Sequence, residues 1–252
     1  MLASGSSGNA ALISTGHTRV LVDAGLSLRE LTRRLELVGE TPERLSAVVI
    51  THEHSDHIAG LPFLARRLGL PVYLSRCTAP LIDWGERGNL PVETFQAGTG
   101  FSIGDIDVAT FSVPHDAADP VGFCFHAGGV KIGMVTDLGY IPDSVKVHLR
   151  GSHALVLESN HDLDMLKVGP YPWAVKQRVM SRMGHLSNLA MSEYLSEELD
   201  PLTRHVILAH LSAHNNHPAI VRLVAAESLA RRGAGVNLLI AAQGAPCETL
   251  EL

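Results

Sequence analysis

The sequence is poor in cysteine, in charged residues and in long apolar runs. Its 252 residues include 3 cysteines, and 18% of them are charged, whereas 46% are hydrophobic. No apolar run approaches the roughly 20 residues that cross a bilayer, and the first residues lack the regions of a signal peptide. The scattered cysteines show no metal-type spacing, which is typical of reduced thiols in a cytoplasmic protein. We therefore expect a cytoplasmic globular protein with no membrane association.

An excess of positive charge and the common nucleotide-binding motifs are also missing. Lys and Arg number 20 against 26 Asp and Glu, so the formal net charge is −6. This balance excludes a uniformly basic nucleic-acid binder, although it leaves room for a local basic patch. Neither G-x-G-x-x-G nor G-x-x-x-x-G-K-[ST] occurs, which argues against Rossmann and P-loop sites. Without linkers or low-complexity tracts, residues 1–252 are predicted to form a single domain.

Short apolar, β-branched runs alternate with amphipathic segments along the chain. The runs predict buried strands and the amphipathic segments predict helices, which together indicate a layered α/β protein. Strands are predicted at 20–22, 47–50, 71–74, 108–111, 121–125, 131–135, 154–157, 206–208 and 236–240. Helices are predicted at 27–38, 57–68, 171–183, 187–199 and 219–232. A turn is predicted at Ala127-Gly128-Gly129, and Cys124 is expected in the core.

Histidine is abundant, with 14 residues, and four potential metal ligands lie close together after a predicted strand. The segment reads His52-Glu53-His54-Ser55-Asp56-His57. A lone histidine is most often solvated or hydrogen-bonded, but this density indicates metal binding. A strand-to-helix loop can turn His52 and His54 towards one ion, and Asp56 and His57 towards another.

This segment resembles the signature of the metallo-β-lactamase fold, and other parts of that family's ligand series follow in order. The resemblance implies an αββα sandwich, with two mixed β-sheets packed face to face and helices outside. Asp23 matches an aspartate that supports the metal loop, and His115, Asp137 and His210 match further ligands. The implied first site is His52, His54, His115 and Asp137, and the second is Asp56, His57, His210 and Asp137.

Imidazole and carboxylate ligands without thiolate suit Zn²⁺ or Mn²⁺, and Fe is also possible. Two divalent ions roughly 3.5–4 Å apart can generate a bridging hydroxide for in-line attack and clamp the attacked group. We expect two such ions per chain, with Asp56 also orienting the nucleophilic water.

A further histidine, in Gly184-His185-Leu186-Ser187-Asn188, matches neither metal site. The segment resembles one in ribonuclease Z, where a histidine approaches the scissile phosphate. The resemblance implies that His185 stabilises developing charge or protonates the leaving oxygen. The alternative is a helix-capping or packing residue.

Residues 165–192 contain four cations and no Asp or Glu, which makes them a local basic stretch in an acidic protein. The cations are Lys167, Lys176, Arg178 and Arg182. The spacing of Arg178 and Arg182 places them on one helix face. We predict that Lys176, Arg178 and Arg182 bind substrate phosphates, aided by Tyr171 and Trp173. A solvated helix face with Trp173 in the core explains the pattern equally well.

Other polar residues are candidates for contacts with substrate or for support of the site. Gly5 and Gly8 permit unusual backbone angles, so Ser4, Ser6 and Ser7 are candidate phosphate contacts, unless this is a flexible turn. Glu158 and Asn160 follow a predicted strand and are expected to orient neighbouring groups. His161 either does the same or is exposed. Asn160, Ser187 and Asn188 complete the predicted substrate-binding set.

Several segments together resemble the bacterial YycJ/WalJ group, whose members are described as 5′→3′ exonucleases on double-stranded DNA. The resemblance covers residues 2 to 240 and rests on 3–9, 51–57, 157–162, 169–173, 184–188 and 209–212. It implies a dinuclear-metal phosphodiesterase that acts on nucleic acid, with DNA favoured over RNA. The alternatives are a small-molecule hydrolase, such as a glyoxalase-II-like thioesterase or a lactonase, and a non-catalytic metal-stabilised DNA-binding module.

Overall fold

The computed structural model describes residues 1–85, 90–233 and 235–252. These residues divide into two compact units whose segments interleave along the chain. Unit 1 comprises residues 1–112, 117–127 and 242–251, and unit 2 comprises residues 113–116, 128–241 and 252. The expectation of a single domain over residues 1–252 stays a prediction.

Unit 1 contains a mixed five-stranded sheet. Its strands lie in chain order across the sheet, with β1 antiparallel to β2 and the remaining neighbours parallel. The strands are β1 (Ala11–Ser14), β2 (Arg19–Val22), β3 (Ala47–Val49), β4 (Val72–Ser75) and β5 (Val92–Phe95). Unit 1 also holds three antiparallel strands, β6 (Gly100–Ile103), β7 (Ile106–Ser112) and β8 (Val121–Ala127). Cys124 is buried, as expected.

Among its described residues, unit 1 has the α-helices α1 (Leu28–Leu37), α2 (Ser55–Ile58) and α3 (Leu61–Leu68). The Ser27 hydroxyl caps α1 by accepting a hydrogen bond from the Glu30 N–H. The prediction of a single helix over 57–68 is wrong, because α2 ends at Ile58 and α3 begins at Leu61, after an interruption that includes Gly60. Pro62 lies in the first turn of α3, where its missing N–H is tolerated, whereas inside a longer helix it would clash with a preceding carbonyl.

The apolar core of unit 1 lies between its helices and the five-stranded sheet. Leu31 and Leu35 of α1 and Leu64 of α3 are fully buried in one cluster with Leu21 and Val48 of the sheet. Each buried leucine contributes roughly 1.5–3 kcal/mol relative to an exposed one. This core gives the loops that follow β2 and β3 a fixed base.

Unit 2 contains four parallel strands in the order β9-β10-β11-β12. The strands are β9 (Val130–Val135), β10 (Ala154–Glu158), β11 (His205–Ala209) and β12 (Asn237–Ile240). Every residue of β10 is buried, which explains its nearly continuous apolar sequence. The predicted turn is confirmed, with positive φ at both Gly128 and Gly129.

Five helices complete the described part of unit 2. They are α4 (Asp143–Leu149), α5 (Leu163–Val168), α6 (Trp173–Val179), α7 (Asn188–Glu197) and α8 (Pro218–Arg232). The helix predicted over 171–183 is too long at both ends. Pro172 disfavours a helical conformation at the preceding residue, and a tight turn follows α6, where the His185 N–H donates to the Val179 carbonyl. Among the described residues, none of the helices has the length and apolarity to span a bilayer.

Candidate metal centre

The candidate ligands follow the carboxyl ends of strands in each unit. Asp23 directly follows β2, and the histidine-rich loop that begins at His52 follows β3. In unit 2, Asp137 comes shortly after β9, Glu158 is the last residue of β10 and His210 directly follows β11. The carboxyl ends of parallel strands meet at one edge of a sheet, where α/β proteins bind ligands. The strand pattern therefore gathers these side chains within each unit.

Asp23 holds the histidine-rich loop of unit 1 in place. Its carboxylate accepts hydrogen bonds from the Thr51 N–H at 2.8 Å and from His57 Nδ1 at 2.8 Å. The Thr51 hydroxyl also donates to Asp23 and lies 3.0 Å from His52 Nδ1. The ring centroids of His52 and His57 are 4.1 Å apart, and those of His52 and His54 are 4.6 Å apart. Asp23 therefore contacts both Thr51 and His57, and its role in supporting a metal site stays a prediction.

Asn9 is a residue of this loop cluster that the sequence analysis missed. Its Nδ2 donates to Asp56 Oδ2 at 3.1 Å and lies 3.1 Å from His57 Nε2, while its Oδ1 accepts from the Gly5 N–H. Gly25 lets its own backbone pack against Asp56, because a Cβ at residue 25 would lie 1.7 Å from the Asp56 carbonyl oxygen. The only local signal is a polar residue at the end of a Ser/Gly segment.

Glu158 is the centre of the polar cluster in unit 2. Its side chain is fully buried, and its Oε1 accepts hydrogen bonds from His185 Nδ1 and His210 Nδ1, both at 2.8 Å. Its Oε2 accepts from the backbone N–H groups of Leu138 and Leu186. A buried carboxylate needs such partners, since burying an uncompensated charge costs several kcal/mol or more. Glu158 thus contacts two imidazoles and two loops, and its role in supporting a metal site stays a prediction.

Burial and neighbouring charge act in opposite directions on this cluster. Burial alone would raise the pKa of Glu158, but the charge and hydrogen bond of His185 hold it well below its usual range. Burial opposes protonation of His185, yet the Glu158 carboxylate outweighs burial and raises the pKa of His185. Burial lowers the pKa of His115, which favours the neutral imidazole that a metal ion requires. Glu158 therefore favours the protonated form of His185, and burial favours the neutral form of His115.

Ligand-type atoms from Asp137, Glu158, His185 and His210 all lie within 4.8 Å of one another. His115 joins the same unit through its Nδ1, which donates to the Gly184 carbonyl at 3.0 Å. Its ring centroid lies 5.0 Å from that of His185. The donors are imidazoles and carboxylates, and this set suits divalent ions such as Zn²⁺ and Mn²⁺.

Three of the five candidate ligand histidines share one mode of support. His57 donates through Nδ1 to Asp23, His210 donates to Glu158 and His115 donates to a backbone carbonyl. Metal-bound histidines in proteins usually donate their second ring N–H in this way, which fixes the tautomer and turns the other nitrogen to the ion. With Nδ1 so used, Nε2 is the nitrogen that would bind a metal. The residues present therefore fit divalent metal ions.

Strained backbone marks three of these positions. Asp23, Asp137 and His210 have φ values of 59°, 60° and 57°, and they are the non-glycine residues with positive φ among those that the structure describes. Such conformations cost roughly 1–3 kcal/mol each and concentrate at functional sites. All three follow strands and carry predicted site side chains.

Comparison with known proteins agrees with this geometry. A family model described as a beta-lactamase superfamily domain matches residues 18–211. The chain is also 40% identical over 248 residues to the exodeoxyribonuclease YycJ of Bacillus anthracis, with 94% of this chain and 90% of that protein covered. The chain belongs to the YycJ/WalJ group of the β-lactamase superfamily. The exodeoxyribonuclease WalJ of Streptococcus pneumoniae is 36% identical, with the same coverage.

A solved structure supports the fold independently of close sequence similarity. The crystal structure of the metallo-β-lactamase fold protein YhfI from Bacillus subtilis matches with a TM-score of 0.73. It is 19% identical, and 96% of each chain is covered. This match confirms the predicted metallo-β-lactamase fold of two mixed β-sheets with helices. Binding of divalent metal is implied by that fold, and the ligand-type clusters provide donors for it.

The Ser/Gly loop of this YycJ/WalJ-group protein forms a tight turn. The Gly8 N–H donates to the Gly5 carbonyl at 3.0 Å, and the two glycines have φ values of 146° and 136°. Ser6 and Ser7 are exposed within the turn, whereas Ser4 is buried. Because Asn9 links Gly5 to Asp56, this turn is attached to the histidine-rich loop. Its predicted role as a phosphate contact is compatible with the exposure of Ser6 and Ser7.

Several residues predicted to bind substrate make internal hydrogen bonds instead of facing solvent. Asn160 donates to the His210 carbonyl, and Asn188 bonds to Ser159 and Asn216. Ser187 caps α7 by accepting from the Ala190 N–H. Lys176 is buried, and its ammonium donates to the Lys167 carbonyl at 2.7 Å. These contacts give the four side chains structural partners, and their assignment to substrate stays a prediction.

Arg178 and Arg182 do not share a helix face, because α6 ends at Val179 and Arg182 lies in the following turn. Arg178 pairs with Asp116 at 3.0 Å, and Asp116 also lies 3.4 Å from His115 Nε2. The ζ carbon of Arg182 lies 3.9 Å from the centre of the Tyr140 ring.

Two open alternatives from the sequence are decided by exposure. Trp173 is 62% exposed, so it is not packed in the core. His161 is 1% exposed, so the reading of a solvent-exposed residue is wrong. Its Nδ1 has no hydrogen-bond partner among the described residues, and burial lowers its pKa to about 4.

Proposed function

We propose that this protein is a dinuclear-metal phosphodiesterase that degrades nucleic acid, with 5′→3′ exonuclease action on DNA. The observation that carries the proposal is the His185–Glu158 pair at 2.8 Å. The Glu158 carboxylate favours the protonated form of His185, and this ring lies beside candidate metal ligands without belonging to either predicted ligand set. An alkoxide leaving oxygen from a sugar needs a proton, and a fixed imidazolium can supply it. A thiolate leaving group has much less need of such a donor.

The proposed ligands are those that the sequence predicts. His52, His54 and His115 would hold one ion, and Asp56, His57 and His210 would hold the other, with Asp137 shared. When bound, two divalent ions of Zn²⁺ or Mn²⁺ type activate water for attack and neutralise charge that develops on the phosphate. The Nδ1 contacts of His57, His115 and His210 support this assignment, because they fix each ring before any ion binds.

Residues of the chain supply the remaining steps. Asp56, which accepts a hydrogen bond from Asn9, orients the attacking water. His185 donates its proton to the leaving oxygen and is then recharged from solvent, while Glu158 stabilises its cationic form.

A nucleic-acid substrate is supported by the surface of residues 165–192 and by the relatives. Trp173 is exposed and follows Pro172 at the start of α6, so its ring is available for base stacking. The stretch contains no acidic residue. The YycJ and WalJ relatives are named exodeoxyribonucleases, which favours DNA over RNA for this chain. A cytoplasmic location accords with this substrate.

The decisive experiment incubates Mn²⁺- or Zn²⁺-loaded protein with 5′- and 3′-end-labelled DNA and RNA, single- and double-stranded. A thioester and a lactone serve as parallel substrates. Processive or stepwise release from the 5′ end of DNA is the expected result, and chelation with EDTA should abolish it. Cleavage of RNA alone would show that the proposed DNA substrate is wrong. Cleavage of the thioester or lactone alone would overturn the proposal of a phosphodiesterase.

Matched variants show whether any cleavage comes from this site. Asp56→Asn removes the carboxylate proposed to orient water and should reduce cleavage by at least about 100-fold. Asp143→Asn removes an exposed carboxylate at the start of α4 and should leave activity unchanged. Equal activity of both variants would assign the cleavage to a contaminating nuclease.

A further inference from the structure

Arg182 lies in a tight turn that leads directly to His185. The Gly184 N–H donates to the Ser181 carbonyl at 3.0 Å, and the His185 N–H donates to the Val179 carbonyl at 2.9 Å. His185 is in turn held by Glu158. The position of the Arg182 backbone is therefore tied to the proposed proton donor.

A second loop reaches the same point from Asp137. The Leu138 N–H donates to Glu158, and the Gly139 N–H donates to the Pro114 carbonyl. Gly139 lies against the Arg182 backbone, and a Cβ at residue 139 would be 2.4 Å from the Arg182 carbonyl carbon. Any side chain at that position would push the two loops apart. The close contact brings Tyr140, the next residue, beneath the Arg182 side chain.

The Arg182 guanidinium is held by the Tyr140 ring, with 3.9 Å between its ζ carbon and the ring centre. This cation–π contact restricts a long side chain that would otherwise sample many rotamers. Arg182 is exposed, and its guanidinium has no ion pair or hydrogen bond within residues 1–85, 90–233 and 235–252. Its N–H donors are therefore positioned but still available to a ligand.

The other cations of the basic stretch differ in this respect. Arg178 pairs with Asp116, Lys167 pairs with Asp164, and Lys176 donates to a backbone carbonyl. Arg182 thus combines a fixed position, exposure and no carboxylate partner among the described residues. A guanidinium of this kind matches the geometry and charge of a phosphate group.

We propose that Arg182 binds a non-scissile backbone phosphate of the substrate and that Tyr140 is its positioning residue. This inference rests on the proposed nucleic-acid substrate. The contact recognises the phosphate rather than a base, so it adds affinity without sequence preference. It is expected to act mainly on KM, because a non-scissile phosphate keeps the same charge throughout the reaction.

The test measures kcat and KM of the Mn²⁺-loaded protein on a DNA duplex at several salt concentrations. Arg182→Gln should raise KM about five- to twentyfold, with kcat within about twofold of wild type. The slope of log(kcat/KM) against log salt should become shallower by about 0.9, the value for one lost phosphate contact on duplex DNA. Arg33→Gln makes the same charge change at an exposed pair on α1 and should alter neither quantity. Wild-type KM and salt slope for Arg182→Gln would overturn the proposal.

Two variants of Tyr140 test the positioning role. Tyr140→Phe keeps the ring and should behave like wild type, whereas Tyr140→Leu should raise KM about three- to tenfold. Comparable melting temperatures establish that both variants fold. Equal KM for Tyr140→Leu and wild type would refute positioning by the ring, even if Arg182→Gln behaved as expected.

A small phosphodiester separates this proposal from the proposed function. Bis(p-nitrophenyl) phosphate has no neighbouring phosphate, so Arg182→Gln should hydrolyse it at the wild-type rate. Slower hydrolysis would place Arg182 at the scissile group and overturn a role at a non-scissile phosphate. Failure of the wild-type protein to cleave any nucleic acid would instead refute the proposed function, a result that is visible without any Arg182 variant.

Discussion

His185 Nδ1 donates a hydrogen bond to the buried carboxylate of Glu158 across 2.8 Å. Glu158 also accepts hydrogen bonds from His210 Nδ1 and from two backbone N–H groups. Its carboxylate therefore contacts both a proposed metal ligand, His210, and the proposed proton donor, His185. In the proposed mechanism, this single carboxylate would couple metal binding to proton transfer.

Replacement of Glu158 by Gln should lower kcat on DNA by about 100-fold or more, because the anion that keeps His185 protonated is lost. A double-mutant cycle with His185→Ala tests whether the two residues act together. The double variant should be no more than about threefold slower than the slower single variant, since interacting residues are not additive. Losses that multiply would mean that Glu158 and His185 act independently.

His185→Ala by itself should reduce turnover by about 100- to 10,000-fold, since a general acid typically contributes that much. Metal content per chain, measured by elemental analysis, should equal that of wild type. His17→Ala, at an exposed histidine, is the matched control and should affect neither quantity. Loss of metal from His185→Ala would assign this ring to the ligand set instead.

Asp23→Asn should weaken metal binding by about 10- to 100-fold, because the carboxylate that accepts from His57 Nδ1 becomes an amide. Competition with a chromogenic chelator measures the affinity directly and does not depend on activity. Asp143→Asn, at an exposed position, should bind metal like wild type. Unchanged affinity in Asp23→Asn would show that the loop keeps its geometry without this support.

Acid should destabilise the fold through His161. Burial lowers its pKa from 6.5 to about 4, so the unfolded chain takes up this proton first as pH falls. The stabilising contribution of neutral His161 is fully present above pH 6.5 and is lost progressively down to about pH 4. A shift of this size corresponds to about 3 kcal/mol in the free energy of unfolding.

Urea unfolding in EDTA at pH 7 and pH 4.5 measures this effect. The loss of stability between the two pH values should be smaller for His161→Gln than for wild type, whereas His17→Gln should match wild type. The same loss in His161→Gln and wild type would show that other groups cause the acid sensitivity.

The main strands were predictable because buried parallel strands carry apolar, β-branched runs, as β10 does. The strands β1, β5 and β6 were not predicted, and they are short with mixed burial. Such edge segments have no strong apolar pattern of their own, and pairing with a neighbour decides their conformation. The break at Gly60 was also missed, although Pro62 carried a usable signal.

The histidine-rich loop was predictable from the sequence, because four potential ligands after an apolar strand are visible without coordinates. The resemblance to the metallo-β-lactamase family implied the other ligands and their order along the chain. The tertiary structure alone decided how those side chains are supported and which polar residues face solvent. Asn9 donates a hydrogen bond to Asp56, which is 47 residues away in the sequence. Arg182 lies over the Tyr140 ring because the glycine at position 139 lets the two loops pack closely. Lys176 and Asn188 are residue types that often contact substrates, but here both form hydrogen bonds within the protein. Local sequence cannot distinguish these cases, because hydrogen-bond partners far apart in the chain are chosen only when the elements pack.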